Sequence, residues 1–313
     1  MNKRTISPLF SILSLHFGKD LEIKNPNEFK QYIKESIFSV VKDSIKDYVS
    51  EVPFLCFNKE NIKDGEINFS GALKDFLDSR FVLETKIRKL KKLEGLLIPI
   101  EGGFSIIINK DLNFSRRVTT LAHEIGHTYF YDCSNNQPKL IFNKNLLEDK
   151  RNHQEFEYLS FEIGRELILP GEQLKEYITK KYLLNASIQN FEEIYKDLNV
   201  VSKDIIAIRI IRELGLWDSL LFIGSLEGEN LVVRNSDKYR FKPGKFKNLN
   251  LKQALEDNSK KSLQSTLINA LTKREDITEE KISVKSDRVS IECLLDTKQI
   301  KDFKGIRFIA MLY

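Results

Sequence analysis

Two histidines four residues apart, His123 and His127, with Glu124 directly after the first, lie in a stretch whose apolar residues recur at helical spacing. Side chains at i and i+4 leave the same face of a helix, so the two imidazoles can grip one ion together. Glu124 stands about 100° round from His123. From there it can reach water on the ion without ligating the ion itself. Zinc lowers the pKa of such water towards about 7, and a carboxylate can accept its proton as it attacks a carbonyl. Val118, Leu121, Ala122, Ile125 and Tyr129 form a continuous apolar stripe that would anchor this helix in a core and leave the histidines facing a cleft. These residues point to a zinc-dependent hydrolase.

A catalytic zinc needs a third protein ligand and one open position. The longer pattern HExxHxxGxxH is not met, because Phe130 stands at its glycine and Cys133 at its third histidine. Cys133 as a thiolate ligand is conceivable, but a small buried or loop thiol is the simpler reading. The next helical stretch, residues 152–169, carries Glu155, Glu157, Glu162 and Glu166. At about 100° per residue, Glu157 shares a face with Ser160, Phe161, Gly164 and Ile168. Ser160 and Gly164 are small, so that face can press against the histidine helix, whereas the other three glutamates point elsewhere. Glu157 is therefore the expected third ligand. His153, one turn earlier on the same face, is a candidate second-rank ligand or oxyanion donor, with a solvated surface histidine as the alternative. The run Gly103-Phe104-Ser105-Ile106-Ile107-Ile108-Asn109 reads as a strand. If it is a sheet edge beside the cleft, Phe104, Ser105, Ile106 and Ile107 would pair with an extended peptide; the alternative is a buried core strand.

Bulk properties narrow the class further. The 313 residues carry Lys+Arg 50 against Asp+Glu 45, a net +5 spread along the chain. That charge is too diffuse to argue for nucleic-acid binding. Cys56, Cys133 and Cys293 are scattered and form no CxxC pair, which fits a reducing compartment and a cytoplasmic location. Pro8 and several serines interrupt the short N-terminal apolar run, and no small-x-small site follows, so an ordinary element of the fold is expected there. No stretch approaches the roughly 18 apolar residues of a membrane span.

Helical periodicity covers residues 28–50. GLLIPIEGGFSIIIN (residues 95–109) reads as a hairpin turning at Glu101-Gly102-Gly103. A helix is expected over about 115–131, capped by Ser115 or Asn113, then a polar loop over 132–150, and a helix to 169 stopped by Pro170-Gly171. Further helices are expected at 172–183, 187–197 and 202–214, ending at Gly215. From Leu220 onward LLFIGSL, NLVVRN, RVSIECLL and IRFIAMLY read as strands, with a helix over about 251–273 between them. The fold class is α+β: a mostly helical zincin-like peptidase domain with a small sheet over 1–218, its first ~50 residues a helical extension, and an α+β C-terminal domain over 219–313 for sensing or docking.

Three segments resemble the ImmA/IrrE family of bacterial metallopeptidases. Residues Arg116 to His127 (RRVTTLAHEIGH) are similar to the family's RFTLAHELGH, with Val118 and Thr119 standing at its usual Arg and Phe. Residues Glu157 to Pro170 (EYLSFEIGRELILP) are similar to its E-x-x-A-x-x-F-A-x-x-L-L-M-P helix, with Ser160 and Gly164 in place of alanines. Val201-Ser202, Arg209 and Leu214-Gly215-Leu216 are similar to its VS…R…LGL helix. The resemblance implies a gluzincin-like endopeptidase core in which His123, His127 and Glu157 hold Zn2+ and Glu124 is the general base. It also implies a helix-turn-helix (XRE-like) repressor as protein substrate, whose cleavage switches on phage, mobile-element or stress-response genes.

Two other functions stay in view. The chain could keep the fold and regulate by docking a repressor or DNA without hydrolysis. Alternatively, the helices of 187–216 could contact DNA directly, with Lys203 and Arg212 as contacts, although Val200-Val201-Ser202 before an apolar helix reads more simply as a packing edge.

Overall fold

A computed structural model of the chain describes residues 72–182, 186–198, 201–217, 219–227, 230–234, 262–286, 289–302 and 305–313, with short pieces at 8–9, 12–13, 35, 62–63, 66–67 and 254–255. The helix expected over 28–50 and the first part of that expected over 251–273 lie almost wholly outside these residues. The chain is α+β. It divides into two compact units, Met1–Leu174 and Lys175–Tyr313.

In the first unit the elements run β1 (Ile62–Lys63), β2 (Glu66–Ile67), α1 (Ala72–Ser79), β3 (Val82–Arg88), β4 (Gly95–Ile100), β5 (Gly103–Asn109) and α2 (Phe114–Thr128). A small hairpin, β6 (Tyr131–Asp132) and β7 (Lys139–Leu140), a 3-10 turn (Lys144–Glu148) and α3 (Lys150–Ile168) follow, and α4 (Gly171–Tyr182) begins. The sheet order is β1-β2-β3-β5-β4, with β3 and β5 parallel and the other pairs antiparallel. The Glu101-Gly102-Gly103 turn joins β4 to β5 as the sequence indicates, and Gly102 takes φ +82, which suits a residue without Cβ.

β5 lies between β3 and β4 rather than at an edge. Its Phe104, Ile106 and Ile108 are fully buried. The expectation that Phe104, Ser105, Ile106 and Ile107 form a substrate-pairing edge is therefore overturned: their backbone groups are taken up by two neighbouring strands. Among the described residues, the sheet edge beside β5 belongs to β4. Its Pro99 is the residue type that tolerates such a place, because a proline has no N–H to give to a further strand.

Helix α2 is capped by Asn113, whose side chain accepts from the Arg116 N–H at 2.9 Å. Val118, Leu121, Ala122, Ile125 and Tyr129 are all buried. Helix α3 starts at Asp149, which accepts from the N–H groups of Arg151 and Asn152. The two helices touch backbone to backbone. A Cβ on Gly126 would lie 2.4 Å from the Ser160 carbonyl oxygen, and one on Gly164 would lie 2.9 Å from the Ala122 carbonyl oxygen. The small-residue face of α3 is thus pressed against the histidine helix, as its sequence pattern requires.

The second unit contains the rest of α4, α5 (Ile188–Asp197) and α6 (Lys203–Ala207), which continues as a π-turn over Ile208–Glu213. An antiparallel sheet follows, in the order β10 (Glu280–Ser286), β11 (Val289–Asp302), β12 (Gly305–Leu312), β8 (Leu220–Glu227), β9 (Asn230–Arg234), with α7 (Leu263–Lys273). Leu263, Leu267 and Leu271 of α7 share an apolar core with Leu220, Ile282, Val284 and Leu295 from the strands. Helices α5 and α6, read from sequence as part of the peptidase domain, group with this unit. No described helix is long and apolar enough to cross a membrane.

Candidate metal centre and active site

The α2–α3 contact sets the site. Because Gly126 and Gly164 let the helices approach to backbone distance, His123 and His127 of α2 meet Glu157 of α3, one turn before Ser160. His123 Nε2 is 3.0 Å from His127 Nε2 and 3.1 Å from a Glu157 carboxylate oxygen, and His127 Nε2 is 3.8 Å from the other oxygen. Among the described residues these three form a group able to hold a metal ion, each offering one ligand atom, all within 4.8 Å of one another.

The donor set tests well against zinc. Bonds of about 2.0–2.1 Å at tetrahedral angles place ligand atoms roughly 3.3 Å apart, and the 3.0 and 3.1 Å separations from His123 Nε2 lie near that value. Two imidazole nitrogens at 3.0 Å have at most one proton to share. The same spacing lets both nitrogens serve as ligands to one cation. Each ring is also held by an aromatic neighbour: His123 stacks on Phe161 with centroids 3.8 Å apart, and His127 lies against Phe156 at 4.6 Å.

The donors open onto a cleft of about 460 Å³. Its walls include Leu93, Gly95, Leu96 and Leu97 at the β4 side, Tyr131 from β6, and Phe156 and Phe161 from α3. Glu124 and His153 also line it. Gly95 matters because a Cβ there would meet Glu124 Oε1 at 2.6 Å and the Thr120 methyl at 2.5 Å. Its bareness lets the edge strand lie against the Glu124 carboxylate.

Electrostatics separate the two carboxyl groups. Burial pushes the Glu124 carboxyl up to about 8, the nearby Glu157 charge adds to this, and the backbone of Leu97 acts in the opposite direction. For Glu157, burial again raises the value. The hydrogen bond with His123, and then the interactions with His127, His123 and His153, outweigh it and hold the group below the usual carboxylate range. Burial, with His123 adding to it, drives the His127 pKa down to about 3, so its imidazole is neutral and able to ligate. Burial and then the Glu124 charge raise the phenol of Tyr131.

Of the residues singled out from sequence, His123, Glu124, His127 and Glu157 come together. His153 stands exposed at the cleft. The other glutamates of α3 are engaged away from the site: Glu162 with Arg165 at 3.0 Å, Glu155 with Arg151 at 3.5 Å, and Glu166 with the Gly171 N–H at 3.0 Å. Cys133 carries a free thiol that burial raises, and it is not among the converging ligands. Phe104 packs edge-on to Tyr131, and Ser105 donates to Glu84 at 2.5 Å; neither lines the cleft. Sequence reading missed Gly95, Leu97 and Tyr131. Pro99 was the available signal for the edge strand; nothing local marked Tyr131.

No protein-family model matches this chain, and no curated protein does. Among solved structures, a Mycobacterium tuberculosis transcriptional regulator aligns with a TM-score of 0.43 at 9% identity, covering 97% of this chain and 80% of that one. The E. coli DhaR(N)–DhaL complex aligns with a TM-score of 0.20 at 10% identity, covering 98% of this chain and 99% of that one. Likenesses this slight carry no argument, so the reading of the site stands on its own geometry and on the three motif segments.

Proposed function

We propose that this chain is a zinc-dependent endopeptidase that cleaves a protein partner in the cytoplasm. The observation that carries the reading is the convergence of His123, His127 and Glu157 beside a buried Glu124 on an open cleft. A zinc ion in such a site supplies a Lewis acid for the scissile carbonyl and acidifies water.

The chain's own residues would do the rest. Glu124 takes a proton from the attacking water and returns it to the departing amine. In the metal-free site, burial makes its carboxylate more basic than an ordinary glutamate. His153 and the Tyr131 hydroxyl stand at the cleft as hydrogen-bond donors for a developing oxyanion.

The β4 edge is the natural place for the substrate backbone. The Asn109 N–H bonds to the Glu94 carbonyl oxygen at 2.8 Å. With that register, the backbone groups of Gly95, Leu97 and Pro99 alternate outward, away from β5, and the Leu97 N–H already donates to Glu124. An extended peptide can add there as a further strand, its donors ending at Pro99. Leu93, Leu96, Phe156 and Phe161 then offer apolar contacts for its side chains. The motif resemblance names the partner class: a helix-turn-helix repressor.

Replacing Glu124 with Gln tests the reading. The variant should still bind zinc and the partner while cleavage falls by about 10²–10⁴-fold. If the wild type sequesters the partner intact, or Glu124→Gln cleaves it normally, the chain regulates by docking rather than by hydrolysis.

A further inference from the structure

Ser160 is fully buried at the helix crossing, on the side of His127 away from the cleft. Its Oγ lies 2.8 Å from His127 Nδ1 and 3.0 Å from the Phe156 carbonyl oxygen one turn back. A serine hydroxyl has a single proton to give. If that proton goes to the carbonyl, Oγ accepts from Nδ1–H and two hydrogen bonds form. If it goes to Nδ1 instead, the bond to the carbonyl is lost and the imidazole proton sits on Nε2, where it can donate only to His123 Nε2 at 3.0 Å, which then has no proton to give Glu157 at 3.1 Å. No water competes at a side chain this deeply enclosed, so the two-bond arrangement wins.

We propose that Ser160 is a positioning residue that fixes His127 in the tautomer with Nδ1 protonated and Nε2 bare, ready to ligate a metal ion. This rests on the metal-centre reading and deepens it. The other imidazole has no such device: among the described residues His123 Nδ1 is buried without a hydrogen-bond partner, and its ring is oriented by stacking on Phe161. The two histidines are thus prepared unequally. One is held by a hydroxyl relay to the helix backbone, the other by an aromatic face. The relay depends on Gly126, because a side chain there would meet the Ser160 carbonyl and push the helices apart. Partners that orient a metal-bound histidine typically contribute 10- to 100-fold to metal affinity.

Two measurements test this. In the metal-free wild-type protein, a long-range proton–nitrogen NMR spectrum of the imidazoles should show His127 protonated at Nδ1; protonation at Nε2 would overturn the proposal whatever any variant does. Zinc titration against a competing chelator should then show Ser160→Ala binding about 10- to 100-fold more weakly than wild type. In the same variant the His127 proton should move towards Nε2 while the His123 signals stay in place. A mere packing role would loosen both rings alike. Equal zinc affinity in wild type and Ser160→Ala would overturn the positioning role alone. A wild type that takes up no zinc would overturn the metal centre, and the role of Ser160 with it.

Discussion

The two units bury different kinds of residue. The C-terminal sheet and α7 close over Leu263, Leu267, Leu271, Ile282, Val284 and Leu295, an almost wholly aliphatic core. Against this, α2 and α3 bury His123, Glu124, His127, Asn152, Glu155, Ser160, Glu162, Arg165 and Glu166. Burying polar and charged groups costs free energy unless each finds a partner, whereas aliphatic burial stabilises at every step. A chain selected only for stability would build both regions like the second. The first departs from that rule where its donors converge, which is where chemistry needs neutral imidazoles and a basic carboxylate held in place.

The contrast can be broken from either side. The largest effect should come from the ligands: His123→Ala or Glu157→Ala is expected to weaken zinc binding by more than about 100-fold, the upper range for a residue that only supports a ligand. Competition with a coloured chelator would measure it. Next, Leu267→Ala should destabilise the second unit by about 2–5 kcal/mol in urea unfolding of the full chain while leaving zinc affinity unchanged. If zinc affinity fell with it, the two regions would not be separable in function. Gly126→Ala should be smaller in stability, about 1–3 kcal/mol, yet it should weaken zinc binding, because its Cβ collides with backbone rather than with a yielding side chain.

A separate effect lies in the pH dependence of the metal-free protein, where the two buried groups pull in opposite directions. The folded pKa of His127 lies near 3, below the ordinary 6.5, so the unfolded chain binds more protons in that window and stability rises with pH from about 3 to 6.5. Glu124 has the opposite sign. Its folded value near 8 lies above the ordinary 4.5, so its contribution is complete below 4.5 and is lost as pH rises towards 8. Urea midpoints across this range should show that alkaline-side loss in wild type and its absence in Glu124→Gln.

Much of this was legible in the residues because the helix period is strict. The spacing of His123 and His127, the apolar stripe of α2, and the choice of Glu157 over Glu155, Glu162 and Glu166 all follow from counting turns, and Ser160 and Gly164 announced a close helix crossing. Strands gave less. GLLIPI and GFSIIIN are similar apolar runs, and which one forms the edge depends on β3, a partner distant in sequence and parallel to β5. The proline in the first run was the physical clue. The β6–β7 pair hid in a polar stretch because strands two residues long have no period to detect. Similarly, β10 carries only two buried apolar residues, Ile282 and Val284, among charged ones. Tyr131 reaches the cleft through that short hairpin, so no local pattern pointed to it.

The claim on which all else rests is that three side chains from two helices hold one ion. Calorimetric titration of zinc into the full chain, alongside His127→Ala and Glu157→Ala, tests it most directly. One ion per chain should bind the wild type tightly, and that binding should collapse in both variants. Zinc uptake of equal strength and stoichiometry in all three proteins would contradict it.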